Sequence, residues 1–558
     1  MSDMPESGSH VTLADILRCL QEIEGLRDTR RRDLCSAVRS VARLAGRNVA
    51  DIVVDVPRLR EALKSFHPVQ ARMSRQRLLN IKSDFRAALE ATGTVMPPVG
   101  DRSLTPGWRS FLASAQRSHQ ALFLARLARY CAATAREPED VDEAVMEEFE
   151  AHLDARLIAS DPITICLQSR YSFNGIVRGN AHPITLLRTR RGVHRSRPLS
   201  VYPESLQADL AQLLEARRDP DLMLEDAPDR PLSPVTLRNT EYSVRQALDA
   251  AVGDGCDPAQ FGSLADLVKI DVVKAAFDEL RRRNDGALKR THHDIAIALL
   301  GIARHHVKAP EEDIAQLKHL KYRIGQKLGL GHKQMGERPK RNLAQFINDP
   351  DNVEHLLFLP QRLMHRIKAE PENRKTALIA MRAAAIAILL SCPLRIRNLA
   401  ALEIGRHIWQ IQSNGKTRYQ VFIPAEEVKN RQPVEAVLSQ STSRIVATYT
   451  ARYRKLIAPA PTPALFPKRD GRSRTPTDLG VDLSRTVRNT TGIELTAHGF
   501  RHFAAFLFLS QNPGEYETVR RILGHRKLDT TVAFYAPLST AASHERYADL
   551  LDMKLRAR

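Results

Sequence analysis

Apolar side chains recur at spacings of three and four through most of the first 330 residues, a period that suits α-helices burying one face. Three segments repeat one pattern: an amphipathic helix, a short polar break, then a second helix. The first runs Leu34, Val38, Val41 and Leu44, then Val56, Leu59 and Leu63. The second runs Leu122, Leu124, Leu127 and Tyr130, then Val141, Val145, Phe149 and Leu153. The third runs Leu237, Val244 and Leu248, then Ile270, Val273, Phe277 and Leu280. This repetition is read as three tandem small helical bundles, over 1–100, 101–200 and 201–325.

From Asn342 onward the texture changes. A helical pattern over Ala377–Ser391 halts before Pro393, whose ring cannot continue it. Strand patterns follow at His407–Gln412 and Tyr419–Pro424, flanking the turn Ser413-Asn414-Gly415-Lys416, with a third at Val434–Leu438. A helix is expected over Arg444–Leu456, and helices resume after the Pro-rich loop Pro459–Pro467. The fold class is therefore mainly α. Tandem helical bundles precede a C-terminal mixed α+β domain, 340–558, with one small antiparallel sheet.

At 558 residues the chain exceeds a single core, and its formal charge of +20 points to a polyanionic partner. Each phosphate neutralised releases counterions, so a basic excess favours double-stranded DNA. Two linkers concentrate that charge. Arg188, Arg190, Arg191, Arg195 and Arg197 occupy one with no acid among them. Lys318, Lys321, Arg323, Lys327, Lys333, Arg338, Lys340 and Arg341 occupy the other against Glu337 alone, with Gly325, Gly329, Gly331 and Gly336 as breakers. A charge run is commonly just a solvated face, but a basic connector between domains is well placed to lie along a phosphate backbone.

The six cysteines are scattered without a CxxC pair, which argues against structural zinc and a disulfide framework and suits a reducing cytoplasm. His292-His293 and His305-His306 lack accompanying ligands at metal spacing and are read as surface or core histidines. No GxxxxGK[ST] loop is present, no apolar run is long enough to span a bilayer, and the polar N-terminus is unlike a secretory signal. Neither a cofactor nor a metal nor a membrane is expected.

Four separated pieces of the last domain fit one reaction. They are Cys392-Pro-Leu-Arg395, Val428-Lys429-Asn430-Arg431, Thr496-Ala-His498-Gly-Phe-Arg501-His502, and Leu523-Gly524-His525 with Tyr535 ten residues later. Splitting a phosphodiester without metal requires fixed positive donors for the non-bridging oxygens, and arginine's planar fork suits that task. Arg395 and Arg501 supply the pair. Tyr535 offers a phenol that can form a reversible ester. Lys429 is the candidate acid for the departing oxygen, and His498 and His525 would position groups or accept protons. Each residue also has an ordinary reading. Arg395 could cap or salt-bridge a helix, His498 and His502 could be plain polar positions beside Phe503 and Phe506, and Tyr535 could be packing. Lys416, also in a hairpin turn, competes with Lys429.

Taken together, in this order and over Asn342–Tyr547, these motifs resemble the tyrosine recombinase or phage integrase family. The resemblance implies that Arg395, Lys429, His498, Arg501 and His525 surround a scissile phosphate while Tyr535 forms a 3′-phosphotyrosyl intermediate. It also implies a site-specific recombinase that integrates or excises a mobile element. Four protomers, identical or mixed with partner recombinases, would act through a Holliday junction. The bundle over Ala208–His306 would be the family's core-binding module. Three departures stand out: Asn398 where the family usually has an acid, a ten-residue gap from His525 to Tyr535 where nine is commoner, and the two extra N-terminal bundles. A type IB topoisomerase and an accessory DNA-binding subunit without cutting activity are the alternatives. The tail Ala541–Leu555 is expected to dock on a neighbouring protomer.

Overall fold

A helix with a single apolar stripe is stable only against another such stripe, and the chain satisfies this in four separate hydrophobic cores among the described residues. The computed structural model describes residues 11–95, 104–158, 160–180, 182–187, 196–220, 231–330, 335–413 and 415–556. They divide into two compact units, one of 1–191 with 335–558 and one of 192–334. No helix among the described residues is long and apolar enough to cross a membrane.

In the first unit, the helices Leu13–Glu22, Asp28–Leu44, Val56–Ser65 and Arg75–Ala91 close around Leu13, Val38 and Phe85. A second core forms around Trp108, Leu127, Phe149 and Phe173, from helices Pro106–Ala113, Ser118–Ala133, Glu143–Arg156 and Pro162–Gly179. Short polar residues start these helices: Asp55, Thr105 and Asp161 each accept a first-turn backbone N–H, with proline just inside. Arg60, 5% exposed, joins the two bundles by donating to the Leu157 carbonyl and, at 2.7 Å, to the Asp154 carboxylate.

The second unit is built on Tyr202, Leu213, Val244, Phe261, Phe277 and Leu299. Its Asp249 is fully buried, and the carboxylate accepts from Arg197 Nη1 and Arg283 Nη1, both at 2.7 Å. Arg197, which the sequence placed in a DNA-facing linker, is therefore held by an internal acid. The second basic linker also needs correction. Lys318, Lys321, Arg323 and Lys327 lie in a helix, Glu311–Lys327, and Lys340 and Arg341 lie in another, Glu337–Ile347. The acids Glu311, Glu312 and Asp313 favour the first helix's N-terminus, and buried Leu317 and Ile324 anchor it. Gly325 does not break it. A Cβ there would lie 3.3 Å from His293 Nε2, so the glycine permits a close approach between helices.

The C-terminal part of the first unit is organised by the helix Arg374–Ser391, where alanines let neighbours approach and twelve residues are buried. Beside it lies an antiparallel sheet in the order β1 (Ile408–Ser413), β2 (Lys416–Ile423) and β3 (Val434–Val437). The hairpin pairs Ser413 with Lys416 and Ile408 with Val421, so its strands extend closer to the turn than the apolar pattern suggested. The expected helix over Arg444–Leu456 is three pieces: Gln440–Thr448, a π-helical turn Tyr449–Tyr453, and Arg454–Ile457.

Removing a buried acid strands the cations around it. Asp249→Ala is expected to cost about 3 kcal/mol in urea unfolding; a loss below about 0.5 kcal/mol would show that the paired arginines need no carboxylate.

Candidate active site

Pro393 ends the long buried helix, and Arg395 becomes the extended N-cap (φ −67°, ψ 142°) of the five-residue helix Ile396–Ala400. Its Nη1 donates to Asn430 Oδ1 at 3.1 Å. Asn430 Nδ2 in turn donates to the Gly524 carbonyl, so one amide joins the first arginine, the turn before β3 and the Leu-Gly-His segment. Asn398, the position where an acid was expected, donates from Nδ2 to the Glu427 carbonyl at 3.1 Å. An ionised carboxylate has no proton to give that carbonyl, so the amide makes a tie that an acid could not. Arg431, with φ of 52°, takes the left-handed conformation that closes the same turn.

Arg501 is 4% exposed on the helix Gly499–Gln511 and donates Nη1 to the Pro393 carbonyl at 2.7 Å and Nη2 to the Leu523 carbonyl. Burial, then the charge of Arg395, pushes its pKa down to about 10, which leaves the guanidinium charged at neutral pH. Burial likewise lowers Arg395 from its ordinary value. His498 precedes the same helix, with a solvent-exposed edge. Partial desolvation, then Arg501 and Arg395, lower its pKa. Thr496 accepts from Gly499 N at 3.2 Å, two positions ahead of the cap position that His498 occupies.

The helix Tyr516–Leu523 ends at Gly524 in a left-handed conformation (φ 57°, ψ 45°), and the chain turns directly into His525. His525 Nδ1 lies 3.0 Å from Thr531 Oγ1, and its ring is nearly parallel to that of Tyr535, with centroids 6.4 Å apart. Burial first, then Arg501 and Arg395, push His525 down to about 4. Tyr535 sits on the last helix, Leu528–Arg556, and is 2% exposed. Burial pushes its phenol up to about 12 against the opposing charge of Arg501, so it is neutral at pH 7.

The phenol's partner is a residue that the sequence reading set aside as a plain polar position. His502 Nδ1 lies 3.0 Å from Tyr535 Oη, and the imidazole is 6% exposed. Burial, then His498, Arg501 and His525, push His502 down to about 4. The available signal was its spacing, four residues after His498 and so on the same side of a helical turn.

The structure thus brings Arg395, His498, Arg501, His525 and Tyr535 into one neighbourhood, linked through Asn430 and His502. Lys429 stands at the edge, exposed in the turn beside Asn430. Lys416 is exposed at the far end of the β1–β2 hairpin. Of the basic DNA-contact candidates, Lys318, Arg323, Lys327, Lys340 and Arg341 are exposed and Lys321 is half-buried, while Lys340 pairs with Glu337 at 3.1 Å. Arg188, Arg190, Arg191, Arg195, Lys333 and Asn414, and the side chain of Arg338, lie outside the described residues.

Residues 358–541 match the phage integrase family. No curated protein matches the chain by sequence. Among solved structures, a XerH site-specific recombinase bound to a palindromic difH substrate in a post-cleavage complex aligns with 16% identity and a TM-score of 0.39, covering 61% of this chain and 84% of that one. The XerH pre-cleavage complex with difH aligns with 16% identity and a TM-score of 0.37, covering 58% and 78%. A XerA recombinase aligns with 14% identity and a TM-score of 0.25, covering 62% and 98%.

The depressed histidines set a pH dependence. The fold holds His502 and His525 neutral, whereas the unfolded chain takes up protons below the ordinary value of 6.5. Their stabilising contribution is complete above that pH and is lost as pH falls toward about 4. In thermal unfolding between about pH 7 and about pH 4.5, His502→Asn is expected to lose less Tm than the unaltered chain. Equal losses would remove His502 from the account.

Proposed function

We propose that this chain, whose residues 358–541 match the phage integrase family, is a site-specific DNA recombinase that cuts and rejoins strands through a 3′-phosphotyrosyl bond at Tyr535. One observation supports this above others: Arg501, braced on the Pro393 and Leu523 carbonyls, and Arg395, tied through Asn430 to the Gly524 carbonyl, are held by the segments that flank the buried phenol of Tyr535. Two fixed cations beside a phenol suit a reaction in which negative charge builds on phosphate oxygens while an aryl ester forms. In this reading Arg395 and Arg501 hold the non-bridging oxygens, His498 and His525 position groups or accept protons, and Lys429 protonates the departing 5′ oxygen. The link from Arg395 to Asn430, the residue after Lys429, favours Lys429 over Lys416.

Under this proposal the bundles over 1–100, 101–200 and 201–325 are separate domains, the third clasping the duplex opposite a catalytic domain over 340–558. The basic helices around Lys318–Lys327 and Lys340–Arg341 would lie along phosphates. The chains would act as a tetramer, identical or mixed, through a Holliday junction, and serve a mobile element. The exposed Tyr547, Leu550, Leu551 and Leu555 on the last helix give that assembly an apolar contact to use.

A nicked suicide duplex tests the chemistry, because loss of the short fragment traps the covalent adduct. The target can be found by capturing duplexes from a pool with a randomised core. The unaltered chain is expected to form an adduct that Tyr535→Phe abolishes while DNA binding persists. Arg501→Lys should slow adduct formation on the order of 100-fold or more, since lysine lacks the two-pronged donor. Binding without any adduct would leave an accessory DNA-binding role, and rapid relaxation of unrelated plasmids would indicate a topoisomerase.

A further inference from the structure

We propose that His502 is a catalytic residue of this site: its Nδ1 takes the proton of Tyr535 as the phenolic oxygen attacks phosphorus, and returns it when the strand is rejoined. The inference rests on the reading of Tyr535 as the nucleophile and goes beyond it: the sequence offered His498 and His525 as proton acceptors, whereas the group hydrogen-bonded to the phenol is His502. His502 Nδ1 lies 3.0 Å from Tyr535 Oη, within direct transfer distance. The other imidazoles are placed differently. His525 Nδ1 is engaged with Thr531 Oγ1 at 3.0 Å, and its ring lies parallel to the tyrosine ring with centroids 6.4 Å apart. His498 meets the His502 ring edge to face at 5.0 Å.

His502 also has a way to pass the proton on. Together with His498 and Asn342, and the apolar Pro339, Leu343 and Leu495, it lines a cavity of about 180 Å³. The imidazole therefore stands between the buried phenol and a space large enough for several waters.

The groups packed around His502 account for the timing. Burial first, then His498 and Arg501 on its own segment and His525 beyond the turn, all disfavour a protonated imidazole. Before DNA binds, the proton consequently stays on Tyr535. An incoming phosphodiester brings a negative charge that offsets the positive charge of Arg501. As the Oη–P bond forms, the phenolic proton becomes strongly acidic and moves to Nδ1. The P–O5′ bond breaks, and the 5′ oxygen receives its proton separately, from Lys429 in the proposed mechanism. Rejoining reverses each transfer: the 5′ hydroxyl attacks, the Oη–P bond breaks, and His502 reprotonates Tyr535.

Single-turnover cleavage of two nicked suicide duplexes tests this, one with the natural 5′ oxygen and one with sulfur at that bridging position. Sulfur leaves as a thiolate and needs no proton. His502→Asn keeps a polar group near the position of Nδ1 but cannot accept a proton. It is expected to slow cleavage on the order of 100-fold on both duplexes while binding DNA normally. Lys429→Ala should be slow on oxygen and recover on sulfur. His502→Ala should be slow on both and recover at least about tenfold when imidazole is added, the cavity admitting it. The inference is overturned if His502→Asn cleaves at the unaltered rate, if its defect disappears on sulfur, or if imidazole fails to restore His502→Ala. An unaltered chain that forms no adduct would instead remove the nucleophilic reading of Tyr535, and this inference with it.

Discussion

The site depends on a guanidinium taken out of water. Arg501 is 4% exposed, and a charge so placed persists only if its donors are used. Two of them are spent on backbone carbonyls, Pro393 before Arg395 and Leu523 before Gly524-His525. The same group that brings positive charge to the pocket therefore fixes the chain segments that bring the rest. Asn430 adds a second brace between those segments, from Arg395 to the Gly524 carbonyl. Replacing Arg501 would remove charge and architecture together, so the two effects would have to be separated by measurement.

The protonation pattern follows from that arrangement. The arginines keep their protons, whereas His498, His502 and His525 are biased toward neutrality and Tyr535 is held as a phenol. A pocket in this state carries a net positive field and holds its phenol protonated. An anion entering it supplies the missing charge and shifts the imidazoles toward accepting protons. Asn398 fits the same logic. Where a carboxylate would partly cancel the field, the amide orients the turn without adding charge.

Much of this was legible in the residues. The helical period exposed the amphipathic segments, and the order of Arg395, Lys429, His498, Arg501, His525 and Tyr535 picked out the neighbourhood because the chemistry dictates residue types. What stayed hidden depended on contacts between distant segments. Lys318–Lys327 looked like a linker because its charges and glycines are loop-like in isolation. Leu317 and Ile324 could be weighted as anchors only once their core was known. Arg197 looked free because Asp249 lies 52 positions away. His502 looked ordinary because its spacing from His498, the one local signal, names no partner for it. Its partner is 33 positions downstream, and a 3.0 Å contact across that interval leaves no periodic trace.

The left-handed turn at Gly524 has a consequence for how the phenol can be repositioned. Only His525, Arg526 and Lys527 separate it from the helix that carries Tyr535. Three residues span at most about 10 Å when fully stretched. While that helix stays wound, Tyr535 cannot drift alone: it travels only if the whole helix swings about this short hinge, pulling His525 along with it.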